Sequence, residues 1–114
     1  MNTLDQIEIS IEQAKYKISL FKALEKLSKN KDFKLLINEG YLEKEAIRLV
    51  HLKSDFQMSG DDQQAYINRA IDSIGQLRSY LSSVYQQGAN AMQALEDHEL
   101  TREELLAEEM NGDE

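Results

Sequence analysis

Residues 7–27 read Ile7-Glu8-Ile9-Ser10-Ile11-Glu12-Gln13-Ala14-Lys15-Tyr16-Lys17-Ile18-Ser19-Leu20-Phe21-Lys22-Ala23-Leu24-Glu25-Lys26-Leu27. Ile7, Ile11, Ala14, Ile18, Phe21, Leu24 and Leu27 recur at steps of four and three. A helix turns once per 3.6 residues, so this spacing lines one apolar stripe along its surface. The same stripe serves either as a face packed within its own domain or as a coiled-coil seam of about three heptads. Thr3 followed by Gln6 predicts a capping box at the start of this helix.

Charge is graded along the helix. Asp5, Glu8 and Glu12 lie near its start, and Lys15, Lys17, Lys22, Lys26 and Lys29 follow, opposed by Glu25. Acid at the N-terminus and base at the C-terminus complement the helix dipole. The gradient also suits antiparallel pairing of two copies, because each basic half then faces an acidic half.

The rest of the chain reads as helix too. It has no proline and five glycines in 114 residues, so few positions interrupt a helix. Asn30 predicts an N-cap for a short helix over residues 31–39, with Phe33, Leu36 and Ile37 inward and Gly40 as a left-handed terminator. A further helix is expected over residues 42–53, with Leu42, Ala46, Leu49 and Val50 on one face. Ser54 to Asp62 reads as a loop and N-cap signal. A long helix then carries Ile67, Ile71, Ile74, Leu77, Leu81 and Val84 at steps of four and three. Gly75 inside it suggests a close helix crossing. Gly88 either ends this helix or is passed over, to about Glu96.

These elements predict an all-α fold: two long antiparallel helices, about 4–29 and 61–95, with a short helical hairpin between them. Ile7, Ile11, Ile18 and Phe21 on one and Ile67, Ile71, Ile74 and Leu81 on the other form the expected packing or self-association stripes.

The composition changes near Glu96. Residues 96–114 hold nine acidic side chains and one base, Arg102, whereas residues 1–95 hold twelve of each. The net charge of −8 therefore resides in the last 19 residues. This divides the chain into a helical bundle, 1–95, and an acidic, partly apolar tail, 96–114. Thr101 with Glu104 predicts a cap for a separate tail helix. Leu100, Leu105, Leu106 and Met110 are expected on one side of it. An acidic end is commonly a solvated tail. With an apolar side, the segment also reads as a partner-binding arm made by Leu100, Glu104, Leu105, Leu106 and Met110, or as an arm folding back on the lysines of residues 15–34.

No catalytic, cofactor or metal site is expected. His51 and Asp55 have helical i,i+4 spacing but no third ligand. No Gly-rich phosphate loop and no Gly-x-Ser-x-Gly elbow occurs. The carboxylate pairs Asp61/Asp62 and Glu103/Glu104 sit in a cap and a tail rather than in a desolvated cleft. Without cysteine there is no disulfide or thiolate ligand. No apolar run spans a bilayer and no signal-peptide pattern opens the chain, so no membrane partner is expected. Residues 15–34 hold seven lysines, but a pI near 4.8 disfavours nucleic acid as the partner.

The run Lys31-Asp32-Phe33-Lys34-Leu35-Leu36-Ile37-Asn38-Glu39-Gly40-Tyr41-Leu42-Glu43-Lys44-Glu45-Ala46-Ile47-Arg48-Leu49-Val50-His51-Leu52 resembles a segment of small acidic helical proteins of tailed bacteriophages. Ile74-Gly75-Gln76-Leu77-Arg78-Ser79-Tyr80-Leu81, followed by Tyr85-Gln86-Gln87-Gly88, is similar to their second half. The resemblance implies a virion component or assembly helper, in the host cytoplasm or built into the virion. It also implies virion or assembly proteins and further copies of the chain as partners. The alternatives are a phage inhibitor or regulator of a host protein and, less favoured, a small DNA-binding regulator.

Overall fold

Asn2 opens the first helix. Its side-chain Oδ1 accepts the Asp5 amide at 2.8 Å and its carbonyl accepts the Gln6 amide at 3.1 Å. The cap thus lies one residue before the expected Thr3–Gln6 box, and Thr3 is already helical. The computed structural model describes residues 2–112. Met1, Asp113 and Glu114, the outer ends of the expected 1–95 and 96–114 regions, lie outside the described residues. Every described element is helical: α1 (Thr3–Ser28), α2 (residues 31–53), a 3₁₀ turn (Phe56–Met58) and α3 (Asp61–Gly112). The fold is all-α.

α2 corrects the expected hairpin. Asn30 does cap it, accepting the Phe33 amide at 2.9 Å, but Gly40 does not end it. No described glycine has a positive φ, so the left-handed terminator is never formed. The chain instead widens into a π-helix over Lys34–Glu45 and returns to α geometry over Ala46–Lys53. π-Helical hydrogen bonding spans i to i+5, and the Leu35 carbonyl sits five residues before Gly40. A Cβ at Gly40 would lie 3.1 Å from that oxygen, a tight fit that glycine avoids.

α3 corrects the expected tail. It runs without interruption from Asp61 to Gly112. At its start Gln63 Oε1 accepts the Gly60 amide at 3.1 Å, and the Gly60 carbonyl accepts the Gln64 amide at 2.8 Å. Asp61 and Asp62 lie in the first turn, where the dipole favours acids. No helix boundary falls at Glu96. Thr101 caps nothing: its hydroxyl donates to the Asp97 carbonyl one turn back, at 3.0 Å. A cap needs a residue outside the helix, and no breaker near Thr101 supplies one.

The described chain divides into two compact units. The first combines Met1–Leu24 with Val84–Glu114, and the second is Glu25–Ser83. Both α1 and α3 run from one unit into the other.

In the first unit the opening turns of α1 run antiparallel to the last half of α3. Phe21 meets Tyr85 near one end, and Glu8 meets Arg102 near the other. Ile11 and Ala14 are buried at 1% and 5% exposure, with Leu24, Val84 and Ala91. In the second unit α2 runs antiparallel to the first half of α3. Leu42, Leu49, Ile67 and Ile74 are buried together, flanked by Ile37, Tyr41, Ile71, Leu77 and Leu81. The two expected stripes therefore fall in different units. Ile7, Ile11, Ile18 and Phe21 belong to the first unit, and Ile67, Ile71, Ile74 and Leu81 to the second.

Candidate interaction surfaces

In the first unit a glycine lets the two helices meet. A Cβ at Gly88 would collide with the Phe21 Cβ and lie 2.7 Å from its ring. Phe21 then stacks edge-on against Tyr85, with ring centroids 5.4 Å apart. An edge-to-face pair of this kind adds about 0.5–1.5 kcal/mol beyond its buried area. Gly75, expected at the close crossing, has nothing within 4 Å of its Cβ position. The close approach belongs to Gly88.

Beside Ala14 and Ala91 the helices leave an open groove of about 230 Å³. Gln13, Gln87 and Asn90 supply amides to its walls, and Lys17 and half-buried His98 supply basic groups. Such a wall can exchange hydrogen bonds with a polar side chain of a partner.

The expected partner arm lies within this unit. Leu105 is half-buried and lines a cleft with Asn2, Thr3, Leu4, Glu108 and Glu109. Leu100, Leu106 and Met110 are exposed, at 57%, 42% and 74%, and Glu104 is exposed too. The four apolar residues do not form one side. On a continuous helix Leu105 lies about 140° from Leu100, and it faces α1 while the others face outward.

The tail's partner is the acidic start of α1, not the lysines. Arg102 Nη1 lies 3.5 Å from Glu8 Oε2, with 32% of its side chain exposed. Asp5, Glu8 and Glu12 thus join the acids of residues 96–112. Ten carboxylates stand at this end, opposed by Arg102 and by Lys15, whose Nζ lies 4.0 Å from Glu12.

Two polar side chains in the second unit went unseen in the sequence. Arg78 Nη2 donates to the Leu42 carbonyl at 2.6 Å, inside the π-helical stretch. Gln64 Nε2 donates to the carbonyls of Lys53 and Met58 at 3.0 and 2.8 Å. It thereby ties the end of α2 and the 3₁₀ turn to the start of α3. A helix end leaves carbonyls without helical donors, which is the one signal in the sequence for such a contact. Lys44 bonds Glu39 at 3.0 Å across five residues, a spacing that the wide π turn brings onto one side. The hydrogen bond and charge of Glu39 raise the Lys44 pKa above its ordinary value.

Of the two residues at i,i+4 spacing, His51 is exposed, and Asp55 accepts the Gln57 amide as the cap of the 3₁₀ turn. Among the described residues no group of three His, Asp or Glu side chains is placed to hold a metal ion. None of the described helices is long and apolar enough to cross a membrane.

Large apolar side chains remain outside both cores. Phe56 is 89% exposed, Leu36 68%, Tyr16 66% and Leu35 59%. Ile47 and Val50 are exposed on α2 as well. Comparisons with family models, curated proteins and solved structures found no match to the chain.

Proposed function

We propose that the chain is a non-enzymatic structural or assembly protein of a tailed bacteriophage, acting through helix packing and self-association. The observation that carries this reading is the amount of large apolar side chain left outside two shallow cores. Contiguous apolar surface on a folded domain marks sites that a protein partner covers. Aromatic and Met side chains, such as Tyr16, Phe56 and Met110, are those enriched at the centres of such contacts. The phage context rests on the resemblance of residues 31–52 and 74–88. Co-purification with virions or assembly intermediates tests the reading, and recovery in either is the expected result. Absence from both, together with a strictly monomeric protein, would sink it.

A second reading, a phage inhibitor that imitates nucleic acid toward a host protein, gains support from one observation. The acids of residues 96–112 stand on an ordered helix beside Asp5, Glu8 and Glu12, rather than on a solvated tail. A rigid array of carboxylates can compete for a basic, phosphate-binding surface. Pull-down from host lysate with the chain and with a Glu103→Gln/Glu104→Gln/Glu108→Gln/Glu109→Gln variant separates the two readings. Capture lost on neutralisation favours the inhibitor.

A further inference from the structure

The last half of α3 carries a second row beside the one that meets α1. Met92, Glu96, Glu99, Glu103, Leu106 and Met110 follow at steps of four and three. All six lie on one helix of the first unit. At 100° per residue they share a side face, roughly 90° round the helix from the side that meets α1. Met92, Leu106 and Met110 are 40%, 42% and 74% exposed, Glu96 and Glu103 are exposed, and Glu99 is half-buried. None of these three carboxylates has an ion pair or hydrogen bond with another described side chain. The bases of this end are already held, Arg102 by Glu8 and Lys15 by Glu12. A row at four-three spacing is the complement of a second helix, and methionine adapts its shape to the side chains it meets.

We infer that this face receives a basic amphipathic helix of another protein, with Lys or Arg at its central seam positions and apolar residues at the ends. The inference rests on the reading that the chain works by packing helices against a partner, and it adds which face does so and what chemistry it takes. Charge decides the occupant. A second copy cannot use the same face. In a parallel pair each glutamate meets its own counterpart, and in the fully overlapped antiparallel pair Glu99 of each copy meets Glu103 of the other. Like charges so opposed destabilise the pair. Phosphate surfaces, of lipid or of nucleic acid, are repelled by the same three charges. The lysine row of α1 in a further copy, Lys15, Ser19, Lys22, Lys26 and Lys29, matches the charge but brings no apolar side chain to Met92, Leu106 and Met110. An apolar helix would bury the glutamates unpaired, at high cost. A basic amphipathic helix meets both halves: its apolar ends cover Met92, Leu106 and Met110, and its long basic side chains lay their methylenes on the row and carry charge to the glutamates. The row is about 27 Å long at 1.5 Å per residue, which places the contact at the small, reversible end of protein interfaces.

The probe is a fluorescein-labelled helical peptide with leucine at both ends of a four-three seam, lysine at the three positions between, and alanine and glutamine elsewhere. Anisotropy should show it binding the full chain with a dissociation constant on the order of micromolar. A peptide of the same composition, shuffled out of the four-three order, should bind at least about tenfold more weakly. The ordered peptide should lose as much toward a Leu106→Ser/Met110→Ser chain and toward a Glu99→Gln/Glu103→Gln chain, with helicity by circular dichroism unchanged in both. Equal binding of the shuffled peptide, or undiminished binding by the Leu106→Ser/Met110→Ser chain, would reduce the face to charge alone and overturn the inference. No binding at about 1 mM peptide would overturn it too. A homodimer of the full chain in sedimentation that Leu106→Ser/Met110→Ser disperses would put a second copy on this face, with the same consequence. Virion co-purification is read separately. If the peptide fails while the chain still co-purifies, the structural role stands without this face; if the peptide binds and the chain is absent from virions, the face stands and the phage role falls.

Discussion

Two glycines of α3 differ in what a methyl group would meet, and they give opposite mutational signs. Gly75 is exposed mid-helix with open space around its Cβ position. Gly75→Ala removes a backbone-entropy cost and should stabilise by about 0.5–1 kcal/mol. Gly88→Ala forces a methyl against Phe21 and should destabilise by about 1–3 kcal/mol, the usual range for overpacking. Urea unfolding of the two variants against the parent checks both. Neither sign was legible in the sequence. A mid-helix glycine looks the same whether or not a neighbour touches it, and the neighbour, Phe21, lies 67 residues away.

Lys44 offers a second test at this scale. Its partner Glu39 raises its pKa. A raised lysine pKa stabilises the fold below the unfolded value and loses that contribution as pH climbs through the folded value. The effect is therefore confined to alkaline solution. In an NMR titration Lys44 should deprotonate at higher pH than its Glu39→Gln counterpart. Equal midpoints would mean that the i,i+5 pair does not persist in solution.

At the scale of elements, the period was legible and the punctuation was not. Ile67, Ile74 and Leu81 announce α3, and Gly88, Leu95 and Arg102 continue the same seven-residue spacing on the inward face. Val84, Ala91, His98 and Leu105 do the same for its companion row. All of these are buried or half-buried. The reading faltered at Gly88 and again beyond Glu96 because glycine, histidine and arginine do not score as apolar. Small residues at a close crossing and a polar side chain at an ion pair carry the pattern in chemistry rather than in hydropathy. In α2 the error ran the other way: Gly40 resembled a terminator, yet the requirement it meets is the Leu35 carbonyl in a wide turn.

The continuity of α3 makes a direct prediction. Removing residues 96–114 takes away Arg102 and Leu105, which lie against Glu8 and Leu4. The truncated chain should lose more helicity than the deleted residues account for, because the start of α1 loses its cover. A loss limited to the deleted residues would restore the separate tail. In the other unit Arg78→Met should destabilise by about 1–2 kcal/mol, since it removes a charged donor from the π-helical Leu42 carbonyl. Thermal unfolding measures both.

For the molecule as a whole, charge opposes folding at one end. Ten described carboxylates, with Arg102 and Lys15 as their paired bases, repel one another, and the full chain carries −8. Raising sodium chloride from 0.01 to 1 M shortens the screening length from about 30 to about 3 Å. The melting temperature should therefore climb by several degrees, and Arg102→Glu should steepen that dependence. A flat response would show that the acids are already neutralised by bound cations or held too far apart to matter. The repulsion also gives this end an affinity for any cationic surface, under either functional reading.

The first unit is assembled from the two ends of the chain, with Glu25–Ser83 between them. That arrangement has a consequence during synthesis. α1 leaves the ribosome about sixty residues before the segment of α3 that covers its inner face. At roughly 5–20 residues per second the interval is about 3–12 s. Throughout it, Ile11 and Ala14 stand without the α3 residues that bury them in the folded chain. The inner face of α1 is therefore covered only once most of the chain has been made.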